Sequence, residues 1–241
     1  SNQQAIDLIR QQYMDKSATV QKDMLSRQIA SMIKMDNISE PAIKKYVEKA
    51  IANLNEDEIS SLVGNIHLTR DTIQDKIENL LKDYQKQVFL QWLNTGRIIL
   101  DSNYTFLDTI ALTKGELVGI DKGLYVAEET VNDFEYDVIS AIADNPNVLF
   151  WHRNREKKEF FINGFINHYP DFIVSMRSGN IILVETKGDH LVNEDSKNKI
   201  WLGNKWADLA GKRYYYFMVF QTKEVEGAIT VKQLLQYLNE L

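Results

Sequence analysis

The sequence predicts an α/β protein in which a mainly helical region, residues 1–125, precedes an α/β domain, residues 126–241. Three observations lead to this prediction. In the first half, apolar residues recur every three to four positions, which is the period of amphipathic helices. From about residue 115, glycines separate short β-prone runs. The second half then follows the order helix, strands, helix, strand, helix, which is typical of an α/β sandwich.

The first half contains three helical patterns. The first pattern, one or two helices long, places apolar residues at Ile6, Ile9, Tyr13, Met24, Ile29, Met32 and Ile33. The second begins at Ser39-Glu40-Pro41, since proline is tolerated in the first turn of a helix. The third follows Thr69 and ends at Gly96. We expect these apolar stripes to form core rather than a cofactor or membrane surface.

The second half begins with a predicted helix at 131–143, which Asn145-Pro146 ends because proline cannot continue the helical hydrogen bonds. Strand-like runs follow at 148–151, 159–162, 171–174 and 181–184. The turn-forming segment 177–180 predicts that the last two runs form a hairpin. The remaining pattern predicts a helix at 195–210, a strand at 214–220 and a helix from Thr230, which fits a capping box with Gln233.

The composition excludes several functional classes. The chain has 241 residues and no cysteine, which excludes disulfides, thiolate zinc sites and a cysteine nucleophile, and agrees with a reducing, cytoplasmic location. Its apolar runs are far shorter than the roughly 18 residues that a membrane span requires. The net charge of -6 argues against a sequence-independent DNA coat, although a nuclease needs acidic residues to hold metal. Because the chain begins Ser1-Asn2-Gln3, without Met or a signal pattern, we expect a piece of a longer polypeptide.

The candidate chemistry lies at the two ends of the predicted hairpin. Tyr169-Pro170-Asp171 opens one strand, and Glu185-Thr186-Lys187 closes the other. Because alternate residues of a strand share a face, Glu185 and Lys187 are expected on one side while Thr186 points away. Two carboxylates fit a Mg²⁺ site that lowers the pKa of water, and a nearby lysine can orient that water.

A simpler interpretation is that Asp171 caps a turn and that Glu185 and Lys187 form an exposed cross-strand pair. The apolar run 181–184 favours the metal site, because it predicts a strand buried on both faces and so puts these charges beside a core.

This arrangement resembles the signature of the PD-(D/E)xK nuclease superfamily. Over roughly residues 120–220 the chain is similar to the endonuclease domain of the Res subunit of type III restriction enzymes. The segments that carry the similarity are Asp133-Phe134-Glu135, Trp151-His152-Arg153-Asn154, Tyr169-Pro170-Asp171-Phe172, Glu185-Thr186-Lys187-Gly188 and a lysine-rich helix. The resemblance implies a restriction-endonuclease-like mixed sheet flanked by helices. The family's helicase motor carries a Gly-x-x-x-x-Gly-Lys-Ser/Thr motif, which this sequence lacks.

The resemblance also assigns catalytic roles. It makes Asp171 and Glu185 metal ligands, with the Thr186 carbonyl as a candidate third ligand, and Lys187 the group that positions water. Glu135 matches the helical acid that completes the site in many such nucleases. The alternative for Glu135 is a first-turn glutamate favoured by the helix dipole. Two other acids compete for its role, Asp133 and Asp137.

The predicted DNA contacts come from two basic segments. Arg153 and Asn154 match an Arg-Asn pair of the family, and Arg155 follows them. Lys157 and Lys158 complete a basic cluster that we interpret as a phosphate-contacting rim, the alternative being a solvated loop. On the next helix, Lys199 is expected to reach the DNA backbone, although helix lysines are often only solvated.

The predicted function is therefore Mg²⁺-dependent hydrolysis of phosphodiester bonds in double-stranded DNA, with Mn²⁺ as a substitute. The resemblance further implies a modification methyltransferase subunit as partner, and ATP for a motor outside this chain. Alternatives are a DNA-binding module without turnover, an interaction scaffold that works through the helical half, and a nuclease acting on RNA or in repair.

Overall fold

The computed structural model describes residues 11, 13 and 16–241, which form two compact units that divide between Val88 and Phe89. The predicted apolar positions Ile6 and Ile9 lie outside the described residues. The units divide earlier than the predicted boundary at residue 125, because the segment after the long helix packs on the second unit. Leu100, for example, lies against the core of that unit.

The first unit consists of helices. They are α1 (Ala18–Met32), α2 (Glu40–Ile51), α3 (Glu56–Gly64) and most of α4 (Ile66–Asn94). α2 begins after Ser39 with proline in its first turn, as predicted. α3 is a helix that the periodicity does not predict, because it is only nine residues long. The apolar stripes do form core, since Leu25, Ile29 and Val47 are completely buried in one cluster.

The second unit is built around a mixed sheet. In chain order its elements are β1 (Glu116–Leu117), β2 (Glu128–Glu129), α5 (Asp133–Asp144), β3 (Val148–Arg153), β4 (Ile162–Asn163), β5 (Asn167–His168), β6 (Phe172–Met176), β7 (Ile181–Lys187), α6 (Glu194–Ala210), β8 (Tyr214–Phe220), β9 (Ile229–Thr230) and α7 (Val231–Glu240). The five strands of the sheet lie in the order β3-β6-β7-β8-β9. β3, β6 and β7 are antiparallel, whereas β7, β8 and β9 are parallel.

The structure confirms the predicted hairpin of β6 and β7, the predicted helices α5, α6 and α7, and the predicted strands β3 and β8. The capping box of Thr230 and Gln233 is also present. The strand predicted at 159–162 is wrong except at its end, because Glu159 turns into buried ion pairs with His152 and Arg155. Ile162 instead belongs to the separate β4–β5 hairpin.

Helices cover both faces of the sheet. α5 and α7 share a core with one face, and α6 shares a core with the other. In β7, Ile182 and Val184 belong to the first core and Leu183 to the second, so the strand is buried on both faces as predicted. The same alternation sends Glu185 and Lys187 toward the α6 side.

Within the described residues, every helix is too short or too polar to cross a bilayer.

Candidate active site

The hairpin brings the two predicted metal ligands together at one end of the sheet. Phe172 of β6 pairs with Val184 of β7, so the next step of the antiparallel register sets Asp171 opposite Glu185. Both strands lie inside the sheet rather than at its edge. The sheet core therefore fixes where these carboxylates lie.

The Asp171 carboxylate is held by β7 itself. One of its oxygens, Oδ2, accepts hydrogen bonds from the backbone N–H of Thr186 at 2.7 Å and from the Thr186 hydroxyl at 2.8 Å. The prediction that Thr186 points away from the acidic pair is thus wrong for its hydroxyl. Asp171 lies before β6 begins, so its side chain can reach around the strand to Thr186. The Thr186 carbonyl as a metal ligand stays a prediction.

Glu185 is the most unusual group of the site. Its residue is only 5% exposed, and its Oε1 contacts the Lys199 ammonium at 3.2 Å. Its other oxygen, Oε2, is buried and has no hydrogen-bond partner among the described residues. Burial, followed by repulsion from Asp171, raises the pKa of Glu185 to about 8. A second cation beside Oε2 would favour the ionised form.

Arg153 joins the two other predicted acids. Its guanidinium contacts Asp171 Oδ1 at 2.9 Å and Glu135 Oε1 at 3.1 Å, and it lies over the ring of Phe172. Burial lowers the pKa of Arg153, but the charges of Asp171 and Glu135 outweigh it and raise the pKa overall. Arg153 is predicted to contact DNA, and in the structure it forms ion pairs with the acidic cluster.

Glu135 caps its helix and also contacts Arg153, whereas its catalytic role stays a prediction. Its Oε2 accepts a hydrogen bond from the Asn132 backbone and closes the capping box of α5, while its Oε1 holds Arg153. Burial, then repulsion from Asp171, raises the pKa of Glu135. The structure therefore places Glu135, rather than the exposed Asp133 or Asp137, beside the other acids.

Lys187 lies two residues beyond Glu185 on the same strand, and it makes no hydrogen bond or ion pair with the described part of the chain. It is close enough to Glu185 for its charge to oppose the effect of burial on the pKa of Glu185. Its ammonium is thus available to a ligand.

A polar cleft of about 390 Å³ gives access to this cluster. Asp171, Glu185, Arg153 and Lys199 all line it. The cleft also contains Lys114, for which the sequence offers no signal, because it lies 57 residues before Asp171.

The predicted basic rim divides into two kinds of residue. Arg155 and Asn154 line the cleft but are buried and already bonded, Arg155 to Glu159 and Asn154 to the carbonyl oxygens of Phe160 and Pro170. They support the wall of the cleft rather than forming a solvated rim. Lys157, whose side chain is 79% exposed, and Lys158, which is also exposed and donates a hydrogen bond to the Thr113 hydroxyl, are the rim residues that lie in solvent. DNA contacts by these residues stay predictions.

The sequence does not predict a second charged network, which is centred on His152. It connects to the cleft through Glu159, because Glu159 also bonds Arg155 in the cleft wall. His152 is completely buried and lies between Glu128, at 2.9 Å, and Glu159, at 3.0 Å. Burial opposes protonation, but the two carboxylates outweigh it and raise the pKa of His152. Glu128 lies 24 residues from His152, so no local pattern reveals the contact.

The donor set is that of a hard divalent cation, because it consists of carboxylate oxygens and one of them lacks a partner. Among residues 11, 13 and 16–241, however, no three Asp, Glu or His side chains converge as a ready ligand group. Arg153 and Lys199 form ion pairs with these carboxylates instead. A metal bound to Asp171 and Glu185 stays a prediction.

A scan against protein-family models matches no family, and searches of curated proteins and of solved structures find no match. Functional inference therefore depends on the residues of the cleft.

Proposed function

We propose that the second unit is a Mg²⁺-dependent nuclease of restriction-endonuclease-like fold, of the kind that ends the Res subunit of type III restriction enzymes. The observation that carries the proposal is the buried Glu185 oxygen that has no partner within the described part of the chain, on a residue opposite Asp171 and on the same strand as Lys187. An unpaired buried carboxylate oxygen costs free energy unless a ligand occupies the site. A divalent cation is the ligand that two adjacent carboxylates select.

The chain's own side chains then have separate tasks. Asp171 and Glu185 would hold the cation, which supplies positive charge that lowers the pKa of water and neutralises the phosphate. Thr186 fixes the Asp171 carboxylate by two hydrogen bonds. Lys187 orients the attacking water and offsets charge on the phosphate oxygens. The water oxygen bonds to phosphorus, the bond to the leaving sugar oxygen breaks, and a proton ends on that oxygen.

Arg153 and Lys199 would change partners when the cation binds. Both contact carboxyl groups in the present structure. With the cation in place, their charges become available to phosphate groups, which agrees with the DNA contacts that the sequence predicts for them. Double-stranded DNA and a methyltransferase subunit are the partners that the family resemblance adds.

The test is nicking of supercoiled plasmid in Mg²⁺ or Mn²⁺ by the wild type and by Lys187→Ala. We expect the variant to cut at least about 100-fold more slowly, the usual range for loss of such a group. The exposed lysine of α7 provides the matched control, Lys232→Ala, which should cut like the wild type. Equal cutting by Lys187→Ala and the wild type would remove Lys187 from the mechanism.

A second measurement tests the metal site without turnover. Calorimetric titration with Mn²⁺ should show binding to the wild type and a loss of binding in Asp171→Asn. Binding that does not depend on Asp171 would contradict the proposal.

The alternative is a nucleic-acid-binding module that does not cleave. The ion pairs of Arg153 and Lys199 favour it, because they satisfy much of the acidic cluster without metal. Oligonucleotide binding without Mn²⁺ binding or nicking would support this alternative.

A further inference from the structure

A pair of stacked aromatic rings lies beside the acidic cleft. The ring centroids of Phe161 and Tyr169 are 5.2 Å apart, and the ring planes are inclined by 26°. The two residues flank the β4–β5 hairpin: Ile162 pairs with His168, so Phe161 and Tyr169 are the next residues in register. Tyr169 also lines the cleft. Tyr169 therefore lies at the cleft wall, two residues from Asp171, and Phe161 stacks on it.

Core packing does not account for these rings. Phe161 is 39% exposed, and neither ring belongs to the hydrophobic clusters of the described residues. The neighbouring Phe160 shows the contrast, because it packs edge to face on Trp206 in the core. Phe161 thus stacks on Tyr169 while part of its own ring stays exposed.

Cationic groups surround the same cleft. Lys114, Lys157 and Lys199 all line it. Ammonium groups at the cleft suit the phosphates of a nucleic-acid strand, and a partly exposed aromatic ring such as that of Tyr169 suits the face of a base. A nucleotide in a strand carries both of these groups at once.

We propose that Tyr169, backed by Phe161, is a stacking platform for an unpaired nucleobase next to the scissile phosphate. The inference deepens the proposed nuclease function and rests on it. A base within a duplex has both faces covered by its neighbours, whereas an unpaired base offers a free face. The site accordingly prefers a single-stranded or locally opened segment over a closed duplex.

Fluorescence anisotropy of labelled oligonucleotides tests the platform. The full chain is titrated, in Ca²⁺ and without Mg²⁺, with a single strand of about 12 nucleotides and with the same backbone made abasic at its centre. We expect the strand with bases to bind at least about fivefold more tightly, because stacking of one base is worth about that factor or more. Tyr169→Leu, which keeps an apolar side chain but removes the ring, should abolish the difference.

Matched variants separate stacking from folding. Tyr169→Trp keeps a ring and should keep the preference for bases. Phe161→Leu removes the support and should weaken the preference. Tyr237→Leu is the control, because Tyr237 also stacks on a phenylalanine, Phe217, at 5.3 Å, but lies on α7. This variant should bind like the wild type.

Equal affinity of the wild type for the two strands, or an undiminished preference in Tyr169→Leu, would overturn the platform. Plasmid nicking in Mg²⁺ by the same proteins distinguishes this failure from failure of the proposed function. Nicking without a preference for strands with bases would contradict only the stacking proposal. A preference for strands with bases without nicking would contradict only the proposed nuclease activity.

Discussion

Arg153 is the residue on which the acidic cluster depends most directly. It contacts Asp171 and Glu135, which come from different parts of the second unit, and its side chain is only 18% exposed. Removing one partner of a buried ion pair leaves the other charge without compensation, which is more costly than the pair itself is favourable. Arg153 thus stabilises the cluster while no cation does so.

Arg153→Met is expected to lower the free energy of unfolding by about 3 kcal/mol. A divalent cation should restore part of this loss, since it can neutralise the carboxylates that the variant leaves unpaired. Thermal unfolding with and without Mn²⁺ is the measurement, and the rise in Tm should be larger for the variant than for the wild type. Equal rises would show that Mn²⁺ does not replace the guanidinium.

Glu159 gives a prediction about pH. Burial alone would raise the pKa of Glu159, but hydrogen bonds from His152 and Arg155 outweigh it and lower the pKa to about 2. A carboxylate with a lowered pKa stabilises the fold fully above its ordinary value of 4.5, and this contribution is lost as pH falls from 4.5 toward 2. Glu159→Gln should therefore cost about 2 to 3 kcal/mol at pH 7, and clearly less near pH 2. Urea unfolding at both values provides the comparison, and a cost that does not change with pH would contradict it.

The residue scale also shows where prediction from sequence stops. Asp171, Glu185 and Lys187 were identifiable because they lie at the ends of one hairpin, whose spacing is local. The contact between Arg153 and Glu135 joins residues 18 positions apart in different elements. Periodicity carries no signal for such a contact, whereas the family resemblance predicts a DNA contact for Arg153.

At the scale of elements, α6 lies unusually close to β8. A Cβ atom added at Gly203 would lie 2.4 Å from the ring of Tyr216, which is buried and bonded through its hydroxyl to His168. Glycine lowers the stability of an isolated helix, but here it permits the close approach. The position of Lys199, one helical turn before Gly203, depends on the same approach.

Gly203→Ala should lower the free energy of unfolding by about 1 to 3 kcal/mol, because the added methyl group overpacks the interface. Asp208→Ala is a control on the exposed surface of the same helix, where alanine should have little effect or stabilise slightly. Denaturant unfolding of both variants measures the difference. A stabilised Gly203→Ala would mean that helix propensity outweighs the steric clash.

Elements with strong local signals were predictable, and those without them were not. Continuous apolar runs predict β6, β7 and β8. The capping box of Thr230 and Gln233 predicts the start of α7. α3 and β9 are too short to show a period. Glu159 leaves its predicted strand because it forms ion pairs with His152 and Arg155. A strand pattern in the sequence carries no information about these pairs.

At the scale of the whole molecule, each unit has a hydrophobic core of its own. Ile29 is completely buried in the core of the first unit, and Ile139 is completely buried in a core of the second. All four tryptophans, Trp92, Trp151, Trp201 and Trp206, belong to the second unit. Tryptophan fluorescence therefore reports on the second unit, whereas far-ultraviolet circular dichroism reports on both.

Ile29→Ala and Ile139→Ala form a matched pair, because both remove the same atoms from a buried helix position. Each should cost its own unit about 2 to 5 kcal/mol. We expect Ile29→Ala to shift the dichroism transition while leaving the fluorescence transition in place, and Ile139→Ala to shift the fluorescence transition. A single transition that moves equally in both variants would indicate that the units unfold together.

β7 has neighbours on both sides and core on both faces, and its last residues carry the candidate chemistry. A deletion of one residue within this strand would turn every following side chain to the opposite layer, so that Glu185 and Lys187 would face α5 and α7 instead of α6. In homologous sequences, we therefore expect substitutions of one aliphatic residue for another within β7. Insertions and deletions should occur only in the turn before this strand.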